Sequence, residues 1–500
     1  MKNFKRLPTV LLLTIILTLA GCKQGTPINA DSIIIKNLNG INESKISEYR
    51  IDVDLDTENM TYKGKQTVSY VNNTDIDLDS IYFHLYPNAF KSLETAPILF
   101  DISNGMEASS YEPGYIEIEK VSNEGNNLKW NIDEEKDTIL NVKLDKPLEK
   151  GKNIQLYLEY TVKLPTTEDR FGYHDKGINC GNWYPIVCVY DKKGWNLDPY
   201  YKVGDPFYSD VSDYKVSITT PKEIIVATSG RIISETEKGN KKTYKIEGQL
   251  IRDFAWAASK DFVVKEKKVE DTIIKVYSIK DDSKLIDETL KAGENSIKTF
   301  NKIFGKYPYG WYSIVNTEFP SGMEYPGMVL ISNDYFHKHL IDILEKVIVH
   351  ETAHQWWYGL VGNNQVDEAW LDEGLATYSE VIYMNEVHGK DEGDKYYNEN
   401  IRLGYEYSVQ YLSDNEVVNK PLSEFAGWID YGPLVYSRAA MFIDRIKEDF
   451  GEEVLYKILS SYYDKYKFHI ATTEDFIKVC EEVTNTSFSQ LANEYLNGNK

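Results

Sequence analysis

The sequence predicts a multidomain β plus α+β protein: an N-terminal antiparallel β domain followed by a mainly helical domain with a small sheet. Three features say so. After an N-terminal leader, about 480 residues remain, more than one core usually serves. Up to about residue 265, apolar and polar residues alternate with period two, the mark of half-buried strands. Beyond about residue 270 the apolar residues fall at helical spacing.

The leader comes first. Lys2, Lys5 and Arg6 precede the apolar run Leu7 to Ala20, the pattern of a signal peptide and too short for an ordinary membrane span. It ends Leu19-Ala20-Gly21-Cys22, which resembles a bacterial lipobox with Cys22 as the lipidated first residue of the mature chain. A plain signal peptide or a helical anchor is the alternative, and each takes the protein out of the cytoplasm. Residues 1–21 are therefore expected as signal peptide and 22–40 as lipidated N-terminus and tether. The tether is mostly polar, with Gly25, Pro27 and Gly40, apart from Ile33 to Ile35.

The β domain is expected over 41–265. Tyr49, Ile51, Val53 and Leu55 alternate with polar residues, as do Ile81, Phe83 and Leu85, then Ile154 through Val162, with further strands at Val216 to Ile218 and Ile224 to Ala227. The second domain, 266–500, carries helical periods over Lys284 to Phe304, Ile341 to Leu360, Trp370 to Val387, Ala439 to Glu448 and Phe476 to Tyr495. Strand-like Ile314 to Thr317 and Met328 to Ile331 precede its central helices.

The formal charge is -22, and removing the three basic residues of the leader takes it to -25. Such a field repels phosphate backbones, so nucleic acid is excluded as a partner. Besides Cys22 there are Cys180, Cys188 and Cys480, an odd number that leaves at least one thiol unpaired and a Cys180–Cys188 bridge open.

The chemistry centres on His350-Glu351-Thr352-Ala353-His354. On a helix, His350 and His354 stack on one face, where both imidazoles reach one Zn²⁺. Glu351 is placed to take the proton of a zinc-bound water as it attacks a carbonyl. A catalytic zinc wants a third protein ligand and one open position. Glu373, in Trp370-Leu371-Asp372-Glu373-Gly374, follows His354 with eighteen residues between them, a spacing that lets an antiparallel helix return to the metal. One zinc per chain is expected.

These motifs resemble those of the membrane alanyl aminopeptidase family of gluzincin zinc metallopeptidases, in a short lipoprotein form. The resemblance spans roughly residues 45–500 and implies a β domain followed by a thermolysin-like catalytic domain. It implies His350, His354 and Glu373 as zinc ligands and Glu351 as general base. Ser321-Gly322-Met323-Glu324-Tyr325 is similar to the family's Gly-x-Met-Glu-Asn motif, which assigns Glu324, with Gly322 and Met323, to the substrate and its free α-amine. Ser321 and Tyr325 depart from that pattern. Val435-Tyr436-Ser437-Arg438-Ala439 resembles Tyr-x-Lys-Gly, which implies Tyr436 as oxyanion donor, with Tyr431 as rival. Thr377, one turn after Glu373, is read either as a brace for a metal ligand or as a helix threonine bonded to its own backbone.

The expected function is therefore a zinc-dependent aminopeptidase that removes N-terminal residues from peptides with a free N-terminus. It is expected to be lipid-anchored on the extracytoplasmic face of the cell membrane. Two alternatives stand: a thermolysin-like endopeptidase, against which Met323-Glu324 argues, and a peptide-capturing lipoprotein without catalysis, against which the intact Glu351 argues.

Overall fold

A computed structural model of the chain describes residues 33–98, 111–133, 136–412 and 416–498. The expected signal peptide, Cys22 and the first part of the expected tether lie outside them. The remainder of that tether does not stand free. Ile34 donates its backbone N–H to the Pro308 carbonyl at 2.8 Å, and Ile33 and Ile35 pack on the core, so the one apolar run in that stretch docks.

The first unit is built on an eight-stranded sheet. From edge to edge it runs Arg231–Lys238, Lys241–Ile251, Ser212–Pro221, Ser47–Asp56, Thr61–Val71, Asn153–Lys163, Tyr115–Asn123 and Asn126–Asn127. Burial along Ser47–Asp56 alternates as its sequence does, with Ile51, Val53 and Leu55 inside. The sheet is antiparallel except where Ser47–Asp56 runs parallel to Ser212–Pro221, a join that the alternation of a single strand does not reveal. Two four-stranded sheets pack with it. Trp183 and Tyr184 of the aromatic-rich stretch are fully buried and belong to this core.

The second unit opens with a five-stranded sheet in the order Val263–Val269, Thr272–Ser278, Trp311–Thr317, Met328–Ser332, Gly322–Met323. The expected border at 265 therefore falls inside a strand, and helix does not begin until Ser283–Ile303. The two-residue strand Gly322–Met323 is the sheet's edge and lies over the helix Ile341–Ala353.

Two expected helices are cut short. The Ile341 helix stops at Ala353, because Trp356 and Trp357 turn into the core and Tyr358 takes a left-handed φ of 103°. Phe476 to Tyr495 divides into Thr473–Thr484 and Ser489–Tyr495 at the left-handed Asn485. The helix Glu452–Tyr466 was not expected. No helix among the described residues is long and apolar enough to cross a membrane.

Cys180, Cys188 and Cys480 are free and buried. Cys180 ends a strand of one four-stranded sheet, while Cys188 follows Ile186–Val187 of the other, so the open bridge is not made.

Candidate metal centre

The helix Ile341–Ala353 buries Leu344 and Ile348 and turns His350 and Glu351 toward a cavity of about 410 Å³ between the two units. Thr352 is pinned underneath by the Tyr312 hydroxyl at 2.7 Å. His354 follows as the residue that closes the helix.

The helix Trp370–His388 runs back past it, with Asp372 and Glu373 in its first turn, where the helix dipole favours acids. A Cβ on Gly374 would lie 2.4 Å from the Ala439 side chain. Glycine there lets the Ala439–Phe450 helix and the wide π-type turn Gly432–Arg438 before it approach. Tyr436, on that turn, thereby reaches Glu373.

His350 Nε2, His354 Nε2 and Glu373 Oε2 lie 3.1 to 3.2 Å from one another. A tetrahedral ion with bonds of about 2.0–2.1 Å sets its ligand atoms about 3.3 Å apart. The remaining atoms fit as well. His350 Nδ1 meets Glu380 Oε1 at 2.9 Å, and His354 Nδ1 meets the Trp357 carbonyl at 3.1 Å. Each Nδ1 thus has an acceptor for its proton, which leaves Nε2 free to bind metal. Two neutral imidazoles and one carboxylate with a fourth position open are the donor set of a catalytic zinc.

Tyr436 donates its hydroxyl to Glu373 Oε1 at 2.6 Å, and its ring stacks on His350 at 5.8 Å. Tyr431 packs edge-on against Tyr436 and is not among the residues lining the cavity. Glu351 is buried, and its Oε2 has no hydrogen-bond partner among the described residues. Burial pushes its carboxyl up to about 8, with the two imidazoles acting against the rise. A Cβ on Gly322 would stand 1.9 Å from Glu351 Oε1, so glycine on the edge strand leaves the carboxylate its room.

Glu324 is 3% exposed and lines the same cavity. Burial and then the nearby Asp205 raise its carboxyl to about 7. Met323 is fully buried, with its sulfur 3.1 Å from Arg170 Nε, so its side chain packs behind the cavity. Tyr325, the departure from the family's asparagine, is also fully buried.

Several residues at the site were not expected. Glu380 anchors His350 and is itself bonded by the Tyr396 hydroxyl. It follows Glu373 by two helical turns on one face, a spacing that could have pointed to it. Thr377, between them, has no hydrogen-bond partner for its hydroxyl among the described residues and braces no ligand. Gln365 donates to both Glu324 Oε1, at 3.1 Å, and Asp372. From the first unit come Arg170 and Asp205, a buried ion pair at the cavity wall.

Residues 288–495 match the Peptidase family M1 domain. Aminopeptidase 2 of Candida albicans is 24% identical over 298 residues, 55% of this chain and 31% of the relative. Endoplasmic reticulum aminopeptidase 2 of Homo sapiens is 29% identical over 133 residues, 26% of this chain and 13% of the relative. The matched regions thus span about a third or less of these relatives' length. The crystal structure of an M1 zinc metallopeptidase from Deinococcus radiodurans covers 91% of this chain and 94% of its own, with a TM-score of 0.63 at 16% identity. A mutant of that enzyme bound to a Tyr-Ser-Ala substrate aligns equally well, at 15% identity, 91% and 95% coverage and a TM-score of 0.63. The two-domain fold is therefore shared.

Proposed function

We propose that the chain, whose residues 288–495 match the Peptidase family M1 domain, is a zinc-dependent aminopeptidase of that family acting outside the cytoplasm. The observation that carries the reading is Glu324, a buried carboxylate in the same cavity as the zinc ligands. A protonated α-amine held there is fixed relative to the metal, so only the bond after the first residue reaches the reacting centre.

His350, His354 and Glu373 would hold the zinc, which when bound supplies Lewis-acid activation of water and of the scissile carbonyl. Glu351 takes the proton of the attacking water and hands it to the departing amine. Tyr436 turns its hydroxyl from Glu373 to the oxygen that gains charge as the carbonyl becomes tetrahedral. Gly322 keeps the approach to Glu351 open.

The test is a panel of aminoacyl reporter substrates, free and N-blocked, with and without a chelator. Free substrates are expected to be cleaved, blocked ones not, and chelation to stop turnover. Glu324→Ala should raise KM and shrink the preference for free N-termini, because its carboxylate binds the amine in ground and transition states alike. Blocked peptides cleaved as fast as free ones by the unmodified enzyme would instead identify a thermolysin-like endopeptidase. Metal binding without turnover would identify a peptide-capturing lipoprotein.

The location rests on the leader and the lipobox at Cys22. Acyl chains there, at roughly 0.8 kcal/mol per buried methylene, would hold the protein to the extracytoplasmic face of the cell membrane. Cys22→Ser is expected to move the protein from the membrane fraction to the soluble one, and an unchanged distribution would remove lipid as the anchor.

A further inference from the structure

The cavity has a direction. Glu324 stands beside His354, and those two with Asp372 bring ligand atoms within 4.8 Å of one another. His350, at the other side of the metal position, is backed by Glu380 and then Tyr396. A peptide held by its amine at Glu324, with its first carbonyl at the metal ligands, therefore continues past His350 toward Tyr396.

On that side stands Lys346, one helical turn before His350 and on the same face of the helix. It lines the cavity together with Ile343, Val347 and Ile401. Its ammonium lies 4.8 Å from the centroid of the Tyr396 ring and makes no ion pair among the described residues. The other cation lining the cavity, Arg170, is already paired with Asp205. In a cavity otherwise rich in carboxylates, Lys346 is thus a positive charge still open to an incoming anion, placed where a cleaved peptide's far end arrives.

Resting on the aminopeptidase reading, we propose that Lys346 receives the C-terminal carboxylate of a short peptide, which makes the enzyme selective for tripeptides. Along the helix axis the Lys346 backbone lies about 6 Å from that of His350, and its side chain reaches over the Tyr396 ring at the cavity's far side. The carboxylate of a tripeptide lies two residues beyond the scissile carbonyl, about 7 Å away in an extended chain, while a dipeptide falls short by half and longer peptides overrun. Ile343, Val347 and Ile401 offer the side chain after the cut an apolar wall.

The experiment uses the zinc-loaded full chain and compares kcat/KM for tripeptide free acids, their C-terminal amides and longer homologues. The free acid is expected to be cleaved about 10-fold better than its amide and than longer peptides, the worth of one partly buried charge-assisted contact. Lys346→Gln should abolish that ratio, Lys346→Glu should reverse it and Lys346→Arg should preserve it. Equal cleavage of acid and amide by the unmodified enzyme overturns the proposal without need of any variant. So does a Lys346→Gln enzyme that loses acid and amide activity alike and keeps their ratio, since that marks a structural role. Aminoacyl anilides, which carry no carboxylate, report separately on the parent reading: if they are cleaved while the acid-to-amide ratio is one, only the role of Lys346 falls. If they are not cleaved, the aminopeptidase reading fails and this inference with it.

Discussion

Glu351→Gln is expected to leave the zinc content unchanged while lowering kcat by about 10²- to 10⁴-fold, the usual worth of a general base. Glutamine keeps the shape and the hydrogen-bonding reach of the side chain but cannot take a proton. Glu351 contributes no atom to the ligand triad of His350, His354 and Glu373, so metal binding should survive. Its orphaned Oε2 and the clearance at Gly322 leave the carboxylate facing the cavity with no structural duty to lose. Atomic absorption together with steady-state kinetics on the variant measures both halves of the expectation. A variant that binds zinc and turns over at the unmodified rate would take Glu351 out of the mechanism.

Tyr436→Phe should lower kcat by about 10²- to 10³-fold with little change in KM. The hydroxyl donates to Glu373 at 2.6 Å in the resting site, and the oxyanion forms only after the substrate is bound, so the lost contact belongs to the transition state. The ring's stack on His350 is retained by phenylalanine, which keeps the site's shape. A matching loss in Tyr431→Phe, with Tyr436→Phe near normal, would transfer the role to the rival tyrosine.

The metal triad was legible because its information is local: two histidines a turn apart and a glutamate at a fixed return distance specify a helix pair whatever surrounds them. Glu324 and Tyr436 carry no such spacing to the metal and were reached through resemblance to family motifs. Arg170, Asp205 and Gln365 could not be read at all, since only the folded chain brings the first unit and the loop after His354 to the cavity. Strand alternation placed Ser47–Asp56, Leu78–His84, Asn153–Lys163, Ser212–Pro221 and Ile225–Thr228 and left the other strands of the first unit unplaced. It passed over Thr272–Ser278, where Ile274 and Val276 do alternate but the run is short and adjoins a long helix. The left-handed Tyr358 ended the metal helix early against its own apolar pattern, a decision taken by tertiary contacts.

Those contacts bear on how the cleft moves. The buried guanidinium of Arg252, from the first unit, donates to the carbonyl of Tyr358, to that of Ser209 and to that of His469. Rotating one unit away from the other would strip a buried cation of acceptors on the far side, a cost of roughly 1–3 kcal/mol for each group left unpaired. Hinge opening is thus opposed at the turn that follows His354, where Arg252 holds the Tyr358 carbonyl at 2.9 Å.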